Sequence, residues 1–411
     1  MMTAEEKRKC KKRVSLKPAA FKGLEKSLSD ERRILRIKYA DIPYEDIPLN
    51  AKRLDSDYID DIFTELVVYG WMTINETACY WTNAEIIDGT NDMFTDLYHL
   101  ESIDMSMIDT SGIKDMSGMF RGCSSLKSLD LSSFYTSNAS SMMHMFQDCH
   151  RLESLDLSSL DTSKVTDMSG MFEGCFSLGN INLSALNTSE VTTMSGMFSS
   201  CLNLKSLDLS SFNSSKVTDM SDMFSGCEKL NSVVLSSFDT SSVEDMSYMF
   251  YNCTSLTALD LSAFNTTSTR DMSGMFSSCS NLKSVDLSSF DTKAVSMDRM
   301  FSHCLRLESV DISHFSIDDI EDMTAMFREC MSLKEIRLPT ARRSIFSFSP
   351  SMSSMFDGCE RLESLDLSAF DGQSIREAEN LLRNCNSLKD VRYPDENLET
   401  IVPDNANIRF S

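Results

Sequence analysis

From Cys123 onward a cysteine returns at positions 149, 175, 201, 227, 253, 279, 304, 330, 359 and 385, so the step is 26 residues six times and then 25, 26, 29 and 26. Self-similarity at a fixed period of roughly 20–50 residues commits a chain to a solenoid, propeller or array. One such unit cannot bury its own apolar edge, and stacking neighbours makes a continuous core. The even beat also disposes of the usual readings of thirteen cysteines. Disulfide frameworks and zinc sites show clustered spacings rather than a clock. A domain count from 411 residues loses its meaning.

With cysteine as position 0, the unit starting at Cys201 has apolar residues at 0, 3, 6, 8, 11, 16, 19, 22 and 23. Positions 3 to 11 read L-x-x-L-x-L-x-x-F, close to a leucine-rich-repeat pattern. The L-x-L core alternates as a short half-buried strand does, with Leu207 and Leu209 inward and Ser206, Asp208 and Ser210 outward. A second extended piece is expected over Val217-Thr218-Asp219-Met220. The Met-Phe-x-x-Cys run then predicts a helical turn beneath the strands, capped by Ser221 or Asp219. The expected fold class is an α/β repeat solenoid, leucine-rich-repeat-like, of about 12 stacked units of about 26 residues with an N-terminal cap.

The boundaries follow from where the pattern fades. Met93-Phe94-Thr95-Asp96-Leu97 imitates Met-Phe-x-x-Cys, with Leu97 standing 26 residues before Cys123, and marks a degenerate first unit. The long step from Cys330 to Cys359 carries Pro339-Thr340-Ala341-Arg342-Arg343, a local irregularity. The last unit replaces Met-Phe by Leu381-Leu382 and ends in Val391-Arg392-Tyr393-Pro394. The solenoid is therefore assigned to 93–393, a cap segment holding both tryptophans to 41–92, and a C-terminal tail to 394–411. Net charge is −23, yet residues 1–40 carry +8, so an acidic body of −31 follows a basic arm. That arm is expected to be partly helical or flexible, with residues 21–38 forming a basic amphipathic helix followed by an extended piece.

The runs Leu-Asp-Leu-Ser-Ser-Leu-Asp-Thr-Ser at 155–163 and Asp-Met-Ser-Gly-Met-Phe at 167–172 closely resemble the 26-residue repeat of bacterial surface proteins, the BspA-like leucine-rich-repeat family. The resemblance spans about residues 92–393. It implies a bacterial-type leucine-rich-repeat solenoid and surface-exposed proteins of adhesion and protein recognition, and it brings no catalytic residues. The charged start of the chain, Met1 to Arg13, lacks the apolar core of a secretion signal, and no apolar run reaches membrane-spanning length. Surface or secreted placement is what the resemblance implies; a cytoplasmic place is what the missing signal leaves open.

Chemistry was sought along the whole chain. The five histidines fall at differing repeat positions, and H-E-x-x-H, G-x-S-x-G and phosphate-loop patterns are absent, so no enzyme is expected. No cofactor and no metal is expected. The repeat cysteines read as a reduced, buried ladder, and the paired Met columns (Met116 to Met272 and Met119 to Met275) as core. Seven N-x-S/T sequons, at Asn75, Asn138, Asn182, Asn187, Asn213, Asn252 and Asn265, carry little weight in a chain rich in Ser and Thr. What stands out is an aspartate column at the centre of L-D-L: Asp130, Asp156, Asp208, Asp260, Asp286, Asp311 and Asp366, interrupted by Asn182, Val234 and Arg337. It is a candidate partner-binding face beside the blander reading of a solvated acidic surface; calcium is disfavoured because only 14 glycines are present. Specificity candidates are Val234, Arg337, Arg342 and Arg343. The expectation is a non-enzymatic scaffold that recognises protein or glycan through the solenoid surface, with no nucleic acid on so acidic a body. The alternative is a structural spacer or assembly subunit whose arm, residues 1–40, touches an acidic partner. Oligomeric state is left open.

Overall fold

A computed structural model describes residues 94–98, 100–104, 110–291, 294–316, 319–339, 350–370, 372, 375 and 378–394, together with the strands named below that lie outside these ranges. The chain divides into two compact units, residues 1–191 and 192–411, each described on its own.

In the first unit, strands β1 (Phe21–Ser29), β2 (Arg32–Ala40), β3 (Glu65–Ile74) and β4 (Thr77–Tyr80) form one sheet. A further strand, β5 (Ser102–Asp104), is the L-x-L strand of the degenerate first repeat, and it pairs in parallel with β3. The sheet thus runs directly into the array. The helix expected at the start of 21–38 is not formed: that stretch is β1, and the extended piece expected after it is β2. β1 and β2 are antiparallel, with Ser29 opposite Arg32, so only two residues separate them. Gly23 disfavours helix, and the β-branched Ile34 and Ile37 suit strand.

Each repeat then makes the same circuit. Its L-x-L strand is short: β6 (Ser206–Asp208) pairs in parallel with β7 (Ser232–Val234), and β8 (Ser309–Asp311) with β9 (Glu335–Arg337). Leu207 and Leu209 are buried while Ser206 and Asp208 are exposed, as period-two alternation requires. The second extended piece exists as parallel bridges at position 18. These link Asp115, Ser141 and Asp167 in the first unit, and Thr193, Asp219, Asp245, Asp271, Ser296, Asp322 and Ser351 in the second.

The Met-Phe-x-x-Cys run is not helical. Positions 21 and 25 both lie in the left-handed region, as at Asp222 (φ 55°) and Gly226 (φ 73°), which no right-handed helix admits. Alternate amides consequently face in different directions. Met220, Asp222, Phe224 and Gly226 donate to carbonyls of the following repeat at 2.7–2.9 Å, while Met223, Ser225 and Cys227 close local turns onto Met220, Asp222 and Phe224. The fold is therefore a repeat solenoid of strands and turns. Helical conformation among the described residues is confined to Gly372 and Ile375.

Ladders of like residues fill the interior. Phenylalanines at position 23 stack face to face within each unit, with centroids 5.3–6.0 Å apart, from Phe94 to Phe172 and from Phe198 to Phe356. Each cysteine thiol donates to the carbonyl of the phenylalanine one turn back, as Cys253 does to Phe224 at 3.1 Å. A buried hydroxyl at position 13 does the same for the chain beside it. Thr240 Oγ1 donates to the Asn265 carbonyl at 2.9 Å and accepts the Asn265 amide at 2.8 Å. In the second unit, β10 (Ser364–Asp366), β11 (Asp390–Tyr393) and β12 (Asn407–Phe410) close the sheet in parallel. The stretch expected to be a tail thus contributes a final strand. The irregular segment with Arg342 and Arg343 lies outside the described residues.

Candidate functional site

The aspartate column has a local cause. Each aspartate accepts the backbone amide two residues on, as in Ser132 to Asp130, Ser158 to Asp156, Ser210 to Asp208 and Ser368 to Asp366, at 2.9–3.0 Å. Asp260, Asp286 and Asp311 do likewise with Ser262, Ser288 and Ser313. The same Asx turn recurs twice more per repeat. In one unit the three are Asp208 to Ser210, Asn213 to Ser215 and Asp219 to Ser221. The recurrent D-x-S and N-x-S triplets are thus turn chemistry. The sequons at Asn182, Asn187, Asn213 and Asn265 are the asparagine form of it.

These bonds set the electrostatics of the face. The hydroxyl and amide of the following serine hold the carboxyls of Asp130, Asp208, Asp260 and Asp311 below the ordinary carboxylate range. Amide and then hydroxyl do so for Asp156 and Asp286. All six remain exposed and Asp366 is half-buried. The column is not continuous, however. Asp208 pairs across the ladder with Val234, Asp311 with Arg337 and Asp366 with Arg392. Arg337 and Arg392 lie 3.5 and 3.0 Å from their aspartates. Neighbouring carboxylates repel each other at Asp130–Asp156 and Asp260–Asp286, so the acidic face is two short patches, one in each unit.

The other candidates are core. Burial pushes the thiols of Cys123, Cys227, Cys279 and Cys385 up to about 12, and those of Cys149, Cys253, Cys304, Cys330 and Cys359 well above their ordinary value. Thiols so far from ionising are poor nucleophiles and poor metal ligands. The two Met columns are fully buried. Among the described residues no group of three His, Cys, Asp or Glu side chains is placed to hold a metal ion.

A second surface feature lies on the turns of the second unit, a groove of about 750 Å³. Its floor is the repeat whose outward turn positions are all small: Gly274, Ser277 and Ser278. The repeat before it presents Tyr248 and Tyr251 at the equivalent places, and the repeat after it Arg299 and His303. The tyrosine rings meet edge to face at 5.8 Å. Tyr248 overlies Gly274 so closely that a Cβ there would stand 2.4 Å from the ring. The sequence signal for this groove is departure from the repeat consensus at turn positions 21, 24 and 25. Variation had been sought on the strands instead.

The family described as "Mycoplasma protein of unknown function, DUF285" matches residues 88–207, 148–256, 179–284 and 233–338, which together exceed half the chain. The chain belongs to this family. A second family, the "BspA type Leucine rich repeat region (6 copies)", matches residues 297–405, so the DUF285 and BspA-type repeats meet in one array. Comparison with curated proteins finds no match. Among solved structures, a leucine rich cell surface protein of Faecalibacterium prausnitzii A2-165 is similar at 17% identity, covering 93% of this chain and 97% of that one, with a TM-score of 0.45. The T. pallidum leucine rich repeat protein shares 16% identity over 71% of this chain and 91% of its own, with a TM-score of 0.25. The Toll–Spatzle complex of Drosophila shares 13% identity over 91% of this chain and 63% of that one, with a TM-score of 0.24.

Proposed function

We propose that this DUF285 protein is a non-enzymatic binding scaffold, placed at the cell surface or secreted, that recognises protein or glycan through its repeat surface. The observation that carries the reading is the exposed strand face with its carboxylates locked in Asx turns. A face whose side chains are already oriented loses little entropy on binding, so many modest contacts add up. The aspartates Asp130, Asp156, Asp208, Asp260, Asp286, Asp311 and Asp366 supply the charge for a basic partner. The spacer alternative drew on the uniformity of this column, but turn chemistry is reason enough for that uniformity. Among the described residues no helix is long and apolar enough to cross a membrane.

The test is protease shaving of intact cells, combined with adhesion of cells carrying the wild-type chain or a variant with Asp130, Asp156, Asp208, Asp260, Asp286 and Asp311 all changed to Asn. Asparagine keeps the turn acceptor, as Asn182 shows. The expected result is loss of the chain on shaving and weaker adhesion of the variant, whose circular dichroism shows it still folded. A chain that resists shaving, or adhesion indifferent to the variant, overturns the reading.

A further inference from the structure

The groove on the turn face has a chemistry unlike the rest of this acidic chain. Its two guanidinium groups are outward and their counter-ions are withdrawn. The Arg299 and Arg328 side chains are 53% and 44% exposed, whereas their partners Asp298 and Asp357 are 15% and 0% exposed. Asp357 is held from its other side by Arg383 and Asn384. Each of these carboxylates meets one nitrogen of its arginine, and a guanidinium carries a fork of donors that suits a planar carboxylate. His303 adds an exposed ring whose Nδ1 is engaged by the Ser302 hydroxyl at 2.8 Å.

The opposite wall is aromatic. Tyr251 is 38% exposed, and its ring meets that of Tyr248 edge to face. Between the walls, Ser277 and Ser278 line the floor, and Gly274 lies beneath the Tyr248 ring. A flat ring with apolar C–H faces on tyrosine, hydroxyls on serine and a carboxylate on arginine meets all three surfaces at once.

We infer that this groove seats a carboxylated pyranose, a uronic or sialic acid residue of a glycan. The acid lies against Arg299 and Arg328 and the ring against Tyr248 and Tyr251. The inference rests on the binding-scaffold reading and names a ligand class for a different face of the same repeats.

The full chain is titrated with sialyllactose and with a glucuronate-terminated disaccharide by calorimetry, with contacts mapped by saturation-transfer NMR. Lactose is the neutral control, and inorganic phosphate and poly-glutamate are the competing anions. Acidic sugars are expected to bind at least tenfold more tightly than lactose and not to be displaced by either anion. Arg299→Asn, chosen because asparagine tolerates the φ of 54° at that position, and Tyr251→Ala are each expected to weaken binding at least tenfold at unchanged Tm. Silence of the wild-type chain toward acidic sugars, equal binding of lactose, displacement by phosphate or poly-glutamate, or variants that bind like wild type overturns the inference. If shaving and adhesion behave as expected while acidic sugars are ignored, the groove assignment alone fails.

Discussion

At the residue scale the repeat is governed by where a backbone amide must be answered and where φ must be positive. Positions 21 and 25 are left-handed in every repeat described at them, whether occupied by Gly118 (φ 60°), Tyr248 (φ 55°) or Ala325 (φ 55°). Outside glycine that conformation costs about 1–2 kcal/mol per residue. Gly196→Ala isolates the strain, since the nearest atom to its added Cβ is 3.8 Å away; it is expected to cost about 1 kcal/mol in urea unfolding. Gly274→Ala is expected to cost more, because the new Cβ also strikes the Tyr248 ring. The aspartates set a pH dependence. Their carboxyls are lowered in the folded chain, so their stabilisation is full above the unfolded value near ~3.9 and is lost as pH falls through the folded values. Tm is expected to drop as pH goes below about 4. Asp208→Asn should make that drop shallower and Asp208→Ala should lower Tm at neutral pH.

At the element scale, each repeat is joined to the next by strand pairing, turn amides, thiols, hydroxyls and stacked rings. The position-13 hydroxyl is the most exacting of these, because one buried hydroxyl serves both an amide and a carbonyl of the next repeat. Thr240→Val removes both bonds to Asn265 while keeping the shape. It is expected to cost about 2–4 kcal/mol, measured by chemical denaturation. Thr240→Ser should cost much less, since Ser214 makes the same pair of bonds to Asp239. The turn run also shows why periodicity misleads at this scale. Met220, Met223, Phe224 and Cys227 have helical spacing and are fully buried. They reach the core from a chain of alternating turns, because apolar spacing reports which side chains go inward and not the sign of φ. At β1 the spacing misleads in the same way: Phe21, Leu24 and Leu28 have helical spacing, yet the stretch is a strand paired with β2.

At the scale of the whole molecule, stability is nearly a sum over repeats and their interfaces. Deleting residues 227–252, one full period, is therefore expected to leave a folded protein with an unchanged circular dichroism shape and a smaller m-value. Deleting 227–239 instead breaks every ladder and should abolish cooperative unfolding. The sequence by itself determined the repeat, its period, the buried columns of Cys, Met, Leu and Phe, and the outward aspartates, because a ladder fold writes each column once per 26 residues. Only the tertiary structure decided what the columns do. The aspartates turn out to hold their own turns, and Arg337 and Arg392 pair with the aspartates beside them. The groove of Tyr248, Tyr251, Arg299 and His303 exists because side chains about 26 and 51 residues apart become neighbours when repeats stack. Adjacency across a stack is a property of the coil of the chain, and a linear pattern records each residue's place in its own repeat but not the surface that several repeats make together.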